Sequence, residues 1–294
     1  MAGTKKLRSP IVWFGGKGMM TAKLVPLLPP HKIYVEPFGG GASMLFAKQP
    51  SDCEVYNDLD SGLVNFFRVL RDPGGFRQLL HLAELTPCSR EEFETFRRQW
   101  EQLPETIQRA YEWFYVARNS FSGHFGSGWG HTITQVASGM SGMTSRWLST
   151  LKMLPEIHAR CMRVQVEHAD FRRVFETYDR PETLFYVDPP YVAATRKAGQ
   201  YKHELDDADH RELVEILLNL EGMAVLSGYA SGLYDPLEEA GWERRDFETF
   251  CFASGRTRRT GILGPGAASK TQKRTQSVWL CPRTQELLLC SNRS

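Results

Sequence analysis

The fold turns on the stretch Lys32-Ile33-Tyr34-Val35-Glu36-Pro37-Phe38-Gly39-Gly40-Gly41-Ala42. A short apolar strand, Lys32 to Val35, runs into three consecutive glycines. Glycines after a first strand let the backbone approach a ligand and open a helix. That helix is expected at Ser43 to Lys48. A second strand, Glu54-Val55-Tyr56, then ends in Asn57-Asp58-Leu59-Asp60, where another helix starts. Strand, glycine loop, helix, strand and acid follow in the order of a nucleotide-binding α/β half. Asp58 either takes the ribose hydroxyls of an adenosine ligand or caps the helix that follows. The G-x-G-x-x-G dinucleotide fingerprint is absent, which disfavours a nicotinamide oxidoreductase.

Upstream lie a basic arm and Trp13-Phe14-Gly15-Gly16-Lys17-Gly18, with a helix expected from about Met19 to Leu28. The spacing is not that of a phosphate loop, since Gly18 and Met19 follow Lys17. Lys17 either reaches a ligand carboxylate or is an ordinary loop lysine, and Trp13 either covers that ligand or belongs to the core. From Asp72 to about Asn119 helical periodicity dominates, with Phe93, Phe96 and Trp100 in one segment and Ala110, Trp113, Phe114 and Ala117 in the next. Ser120 to Ser145 is rich in Gly and Ser and reads as an exposed, mobile loop. Residues 72–145 are therefore expected to form a mostly helical insertion between two parts of one domain, 1–71 and 146–294.

The α/β pattern resumes with a strand at Val164-Gln165-Val166 ending at His168-Ala169-Asp170-Phe171. Another strand, Thr183 to Val187, runs into Asp188-Pro189-Pro190-Tyr191. This tetrapeptide is either a Pro-Pro turn with a chance aromatic or a device for an amine substrate. Adenine's exocyclic nitrogen is a poor nucleophile because its lone pair is delocalised into the ring. An Asp carboxylate and a backbone carbonyl aimed by proline can accept its two N–H bonds and stabilise the charge that develops on methylation. Tyr191 offers a face for stacking a base. Further on, Asp206 to Asn219 and Ser231 to Ala240 read as helices and Ala224 to Ser227 as a strand. Trp242 to Phe252 and Gln276 to Cys281 read as the arms of a terminal hairpin. Between those arms, Arg256, Arg258, Arg259, Lys270, Lys273 and Arg274 stand without an acid. This segment is either a DNA-phosphate contact or a solvated basic loop.

Composition constrains the class loosely. The 294 residues are 41% hydrophobic and 24% charged, with a net charge of +2. Those values suit a globular protein and do not by themselves mark a nucleic-acid binder. The six cysteines form no C-x-x-C pair, so neither a metal site nor a disulfide framework is expected. No stretch resembles a signal peptide or a membrane span, and a cytoplasmic location is expected.

The ordered motifs WFGGKG, VEPFGGGA, VYNDLD, VEHADF and FYVDPPY resemble the Dam-like DNA adenine methyltransferases, from roughly Pro10 to Cys281. The resemblance implies a Rossmann-like methyltransferase fold. Its sheet is seven-stranded and mostly parallel, with an antiparallel last strand and a helical target-recognition insertion. It implies adenine-N6 methylation of double-stranded DNA, with S-adenosyl-L-methionine as the donor and no metal, by a monomer or homodimer. A restriction-modification enzyme and an orphan methylase both fit.

Carried over residue by residue, Trp13, Lys17, Glu36, Phe38 and Gly39 match the motifs around the methionine part of the cofactor. Asp58 matches the acid on its ribose, and Asp170 and Phe171 match the residues on its adenine. Asp188, Pro189, Pro190 and Tyr191 match the catalytic tetrapeptide, with Asp188 also touching the cofactor. DNA contacts are expected at Arg118, Asn119, Ser122, Arg256, Arg258, Arg259, Lys270 and Lys273, while His124 and His131 read either as base contacts or as exposed loop residues. Here Arg118-Asn119 reverses the Asn-Arg order common among relatives. The alternatives are a methyltransferase of this fold acting on the cytosine amine, RNA or a protein glutamine, and a non-catalytic DNA-binding relative. Asp at 188 favours adenine, since cytosine-amine enzymes more often carry Ser and glutamine enzymes Asn at that position.

Overall fold

The computed structural model describes residues 7–131, 135–195, 202–251 and 272–291. The strands are β1 (Ile33–Glu36), β2 (Cys53–Asn57), β3 (Val136–Ala137), β4 (Met140–Ser141), β5 (Val164–Glu167), β6 (Thr183–Val187), β7 (Met223–Gly228), β8 (Glu243–Cys251) and β9 (Gln272–Leu280). Seven of them form one sheet in the order β5-β2-β1-β6-β7-β9-β8. The first five run parallel, and β9 lies antiparallel to both β7 and β8. Every residue of β6 and β7 is buried, as expected of central parallel strands covered on both faces. From β1 the chain first builds outward through β2 to β5. It then returns to the other side of β1 with β6. The switch point therefore falls between β1 and β6, where Val35 pairs with Phe185. In open α/β sheets a ligand crevice forms at that point, beyond the carboxyl ends of the strands.

The helices follow their local signals. Helix α1 (Thr21–Leu24) is short and passes into a tight turn at Val25–Leu27. The expected longer helix is cut because Pro26 cannot donate the next backbone hydrogen bond. Helix α2 (Ser43–Ala47) opens directly from the glycine loop. Helix α3 (Ser61–Arg71) is capped by Asp60, whose carboxylate accepts from the amides of Gly62 and Leu63. Helices α4 (Pro73–Leu85), α5 (Arg90–Gln99) and α6 (Ile107–Asn119) follow, and α7 (Gly142–Cys161) begins just before residue 145. Helix α6 packs on α3, α4 and α5, and its buried side chains belong to the same apolar cluster as the sheet.

Helices α8 (Phe171–Tyr178), α9 (Asp207–Leu218) and α10 (Asp235–Glu239) complete the α/β layers. The helix expected at Ser231 to Ala240 is split into a turn at Gly232–Tyr234 and the short α10. A last helix, Pro282–Ser291, had no counterpart in the sequence reading.

The Gly-rich stretch fits the expectation of an exposed loop over Ser120 to Ser145 at Gln135 to Gly139 and Ser141, and departs from it in the part around Phe125 and Trp129. Ser120 pairs with Trp129 in a bridge, and Gly130 is buried. Phe125 stacks on Trp113 at 5.5 Å, and Trp129 lies 5.6 Å from Phe93. Two large rings within a Gly/Ser background supply enough apolar surface to pin the segment to the helices.

Candidate active site

A cleft of about 970 Å³, mouth included, opens at the switch point. Its walls come from the Trp13 loop, the glycine loop after β1, the end of β2, the turn before α8, the end of β6 and the segment Lys202–Leu205.

The glycine loop is held by the neighbouring strand end. Gly39 N–H donates to the Asn57 carbonyl at 2.7 Å, and Tyr56 hydroxyl donates to the Gly40 carbonyl at 2.8 Å. A Cβ on Gly39 would lie 2.2 Å from the Tyr56 ring, so only glycine fits there. Asn57 joins three loops: its amide donates to the carbonyls of Pro37 and Ala169, and its oxygen accepts from Ala169 N–H. Asp58 accepts from the amides of Gly40 and Asp60, each at 2.8 Å. It faces the cleft, and the cap of α3 is Asp60 instead. Burial pushes the Asp58 carboxyl up to about 6.

Glu36 ends β1 at the back of the cleft and is only 2% exposed. It accepts from the Tyr34 hydroxyl and the Leu45 amide, both at 2.8 Å. Burial outweighs these bonds and lifts its carboxyl to about 8. Phe38 and Phe171 line the cleft together, with ring centres 5.3 Å apart.

Lys17 reaches across to the end of β6. Its ammonium donates to both carboxylate oxygens of Asp188 at 2.6 Å, to the Gly15 carbonyl at 2.9 Å, and stands 4.9 Å from the Tyr191 ring centre. The pair is largely buried, at 5% and 19% side-chain exposure. Burial raises the Asp188 carboxyl, and the Lys17 charge opposes that rise. Trp13 lines the cleft and packs beside Gly40 and Gly41.

The cleft thus unites Trp13, Lys17, Glu36, Phe38, Gly39, Asp58, Phe171, Asp188 and Pro190. Asp170 is not in its wall. Its carboxylate caps α8 and pairs with Arg172 at 3.1 Å, half exposed, because a residue just before a helix is drawn to the free amides there. Tyr191 sits behind the wall at 6% exposure, against the Tyr229 ring at 4.6 Å, so its face is not open to the cleft.

Arg118 and Asn119 lie apart from the cleft. Asn119 is buried and its amide donates to the Tyr115 carbonyl one turn back, which withdraws it from any ligand. Arg118 is half-buried and reaches the Arg146 carbonyl. His124 packs at a tilt against Phe14, ring centres 4.8 Å apart, and His131 is exposed. Arg256, Arg258, Arg259 and Lys270 lie outside the described residues, as do the side chains of Ser122 and Lys273.

Sequence reasoning missed Tyr56 and Asn57, although a polar side chain at the end of a buried strand was a usable signal. It also missed Lys202–Leu205, which nothing local marks.

A parallel sheet with an antiparallel end and a glycine-walled cleft at its switch point define the Rossmann-like methyltransferase fold. The family model described as D12 class N6 adenine-specific DNA methyltransferase matches residues 13–231, and the chain belongs to that family. It is 20% identical to "Modification methylase StsI" of Streptococcus sanguinis over 229 residues, 74% of this chain and 34% of that protein. It is 24% identical to "DNA N-6-adenine-methyltransferase" of Escherichia phage P1 over 218 residues, 71% of this chain and 28% of that protein. The chain thus spans about a third of the length of these curated relatives.

Proposed function

We propose that this protein transfers a methyl group from S-adenosyl-L-methionine to the exocyclic amine of an adenine flipped out of double-stranded DNA. The observation that carries this reading is Asp188 at the end of β6, facing a cleft that Glu36, Asp58, Asp60 and Glu204 also line. The donor set fits the cofactor. S-adenosylmethionine brings a positive sulfonium, an ammonium, a ribose diol and a flat base, and when bound it supplies an electrophilic methyl group. Glu36 suits the ammonium, Asp58 the diol, and Phe38 and Phe171 the base. At Gly39, which lines the cleft, the Tyr56 ring leaves no room for a Cβ and so fixes glycine in the loop.

The chain's own groups then act on the amine. Asp188 accepts one N–H, and a carbonyl of the Pro189-Pro190 turn, aimed by the prolines, accepts the other. Both favour a pyramidal nitrogen whose lone pair points away from them, and both stabilise the positive charge that grows there. The Lys17 charge opposes the rise that burial imposes on the Asp188 carboxyl and so favours the ionised form that an acceptor requires. Its bonds leave lone pairs free, because a carboxylate has about four acceptor positions. No strong base is needed before transfer, since the nitrogen attacks uncharged and loses its proton afterwards. Flipping costs a few kcal/mol of stacking, which the pocket's hydrogen bonds and rings offset.

Incubation of duplex DNA with labelled donor, followed by nucleoside analysis, tests the reading. The expected product is N6-methyladenine, with Asp188→Ala folded and inactive. Label on cytosine, or normal turnover by Asp188→Ala, refutes it.

A further inference from the structure

Behind the cleft, β7 and β9 present a buried polar group that none of the motifs includes. Gln276 is 5% exposed and Ser227 fully buried. Neighbouring antiparallel register sets Ser227 opposite Val278 and Gly228 opposite Ser277, so both side chains meet beneath the tetrapeptide. The Gln276 amide donates to the Gly228 carbonyl at 2.9 Å and to the Ser227 hydroxyl at 3.1 Å. Turning the amide over would set its oxygen against the Gly228 carbonyl, so its orientation is determined. Its oxygen is left to accept, and it accepts the Tyr191 hydroxyl at 2.9 Å.

We infer that Gln276 is a positioning residue for the catalytic tetrapeptide, holding Tyr191 through its hydroxyl so that Asp188 and the Pro189-Pro190 turn keep their aim. The inference rests on the proposed adenine methylation. Three facts support it. Tyr191 follows the turn directly, so a tether on its far end restrains the backbone carbonyls of the turn. The same ring bears on Lys17 at 4.9 Å, and Lys17 holds Asp188. Burial raises the Asp188 carboxyl, while Lys17, then Ser227 and Tyr191, draw it down, so the polar group bears on the reacting carboxylate as well. Gln276 stands on β9, which follows β8 in the chain yet lies between β7 and β8 in the sheet. The last strand pair therefore contributes to the site as well as closing the sheet edge.

The test uses the full chain, with kcat and KM for donor and DNA measured for Gln276→Leu, Gln276→Glu, Tyr191→Phe and Gln276→Leu/Tyr191→Phe. Gln276→Leu removes the bond to Tyr191 together with those to Ser227 and Gly228, and loss of the Tyr191 tether predicts about a ten-fold fall in kcat with KM for the donor unchanged. In the Tyr191→Phe background the same change is expected to cost clearly less, because the part of the fall that runs through the Tyr191–Gln276 bond is already lost and only the Ser227 and Gly228 bonds remain to be removed. Gln276→Glu is expected to gain activity as pH falls. Its protonated form regains a donor toward Gly228, and the wild type has no such rise.

Equal falls for Gln276→Leu in both backgrounds, or no fall in either, overturn the inference. So does unfolding of both Gln276 variants, which would make the residue purely structural. Failure of the wild type to methylate adenine would instead refute the proposed function.

Discussion

Changing Glu36 to Gln is expected to make the ligand-free protein more stable and unable to bind its donor. The Glu36 carboxyl is buried at the end of β1, and burial lifts it from an ordinary 4.5 to about 8. In the unfolded chain it ionises at the ordinary value. Between the two values the unfolded chain has released its proton while the folded chain still holds it. Rising pH therefore favours unfolding across that window. The contribution is fully present below pH 4.5 and is lost as pH climbs toward 8. At about 1.36 kcal/mol per pH unit the loss is on the order of 5 kcal/mol by pH 8.

Gln can accept the same two bonds from Tyr34 and Leu45 and does not titrate. Thermal melting without ligand at pH 5, 6.5 and 8 reads the effect. Wild type and Glu36→Gln should melt together near pH 5. By pH 8 the variant should melt higher, by roughly 5–10 °C for a chain of this size. Calorimetry should find donor binding weakened severely, because a cationic ligand loses its buried counter-charge. A melting gap that does not change with pH, or a variant less stable at pH 8, would refute the argument. A buried acid kept at a cost to stability is what a ligand site demands.

Other expectations follow from the same geometry. Gly39→Ala drives a Cβ into the Tyr56 ring, so donor affinity should fall by more than ten-fold in calorimetry. Ala42 holds a left-handed backbone at φ 53°, and Ala42→Gly should raise stability by about 1 kcal/mol in urea unfolding. Changing Arg256, Arg258 and Arg259 together to Ala should flatten the log–log salt dependence of DNA binding by roughly three units of slope. An unchanged slope would exclude these arginines from the interface.

Much of the fold was legible because its signals are local. The strand-glycine-helix order around Glu36 to Ala42 and the apolar run into Asp188 needed no partner to be recognised. Pro26 and Pro236 stand at the starts of the shorter elements into which the expected helices are divided, since proline lacks the donor that would continue the preceding turn. Glycine content marks Gln135 to Gly139 correctly as exposed, while around Phe125 and Trp129 the two rings pack on the helices, a contact that composition does not carry. Asp170 carried a motif role, yet the free amides of α8 and the Arg172 guanidinium hold it outside the cleft.

By itself the sequence determined which residue types were present to bind and react: two acids at strand ends, a glycine loop and an acid-proline-proline-aromatic end to a strand. Their identities follow from chemistry that each short segment carries alone. Only the tertiary structure decided which of them meet. Lys17 and Asp188 are 171 residues apart in the chain and 2.6 Å apart in space. Tyr191 and Gln276 are joined across β7 and β9 in the same way. Such pairings depend on strand order at the switch point and on the register of the last hairpin. Burial, which sets the charge state of Glu36, Asp58 and Asp188, exists only once the whole sheet has closed around them.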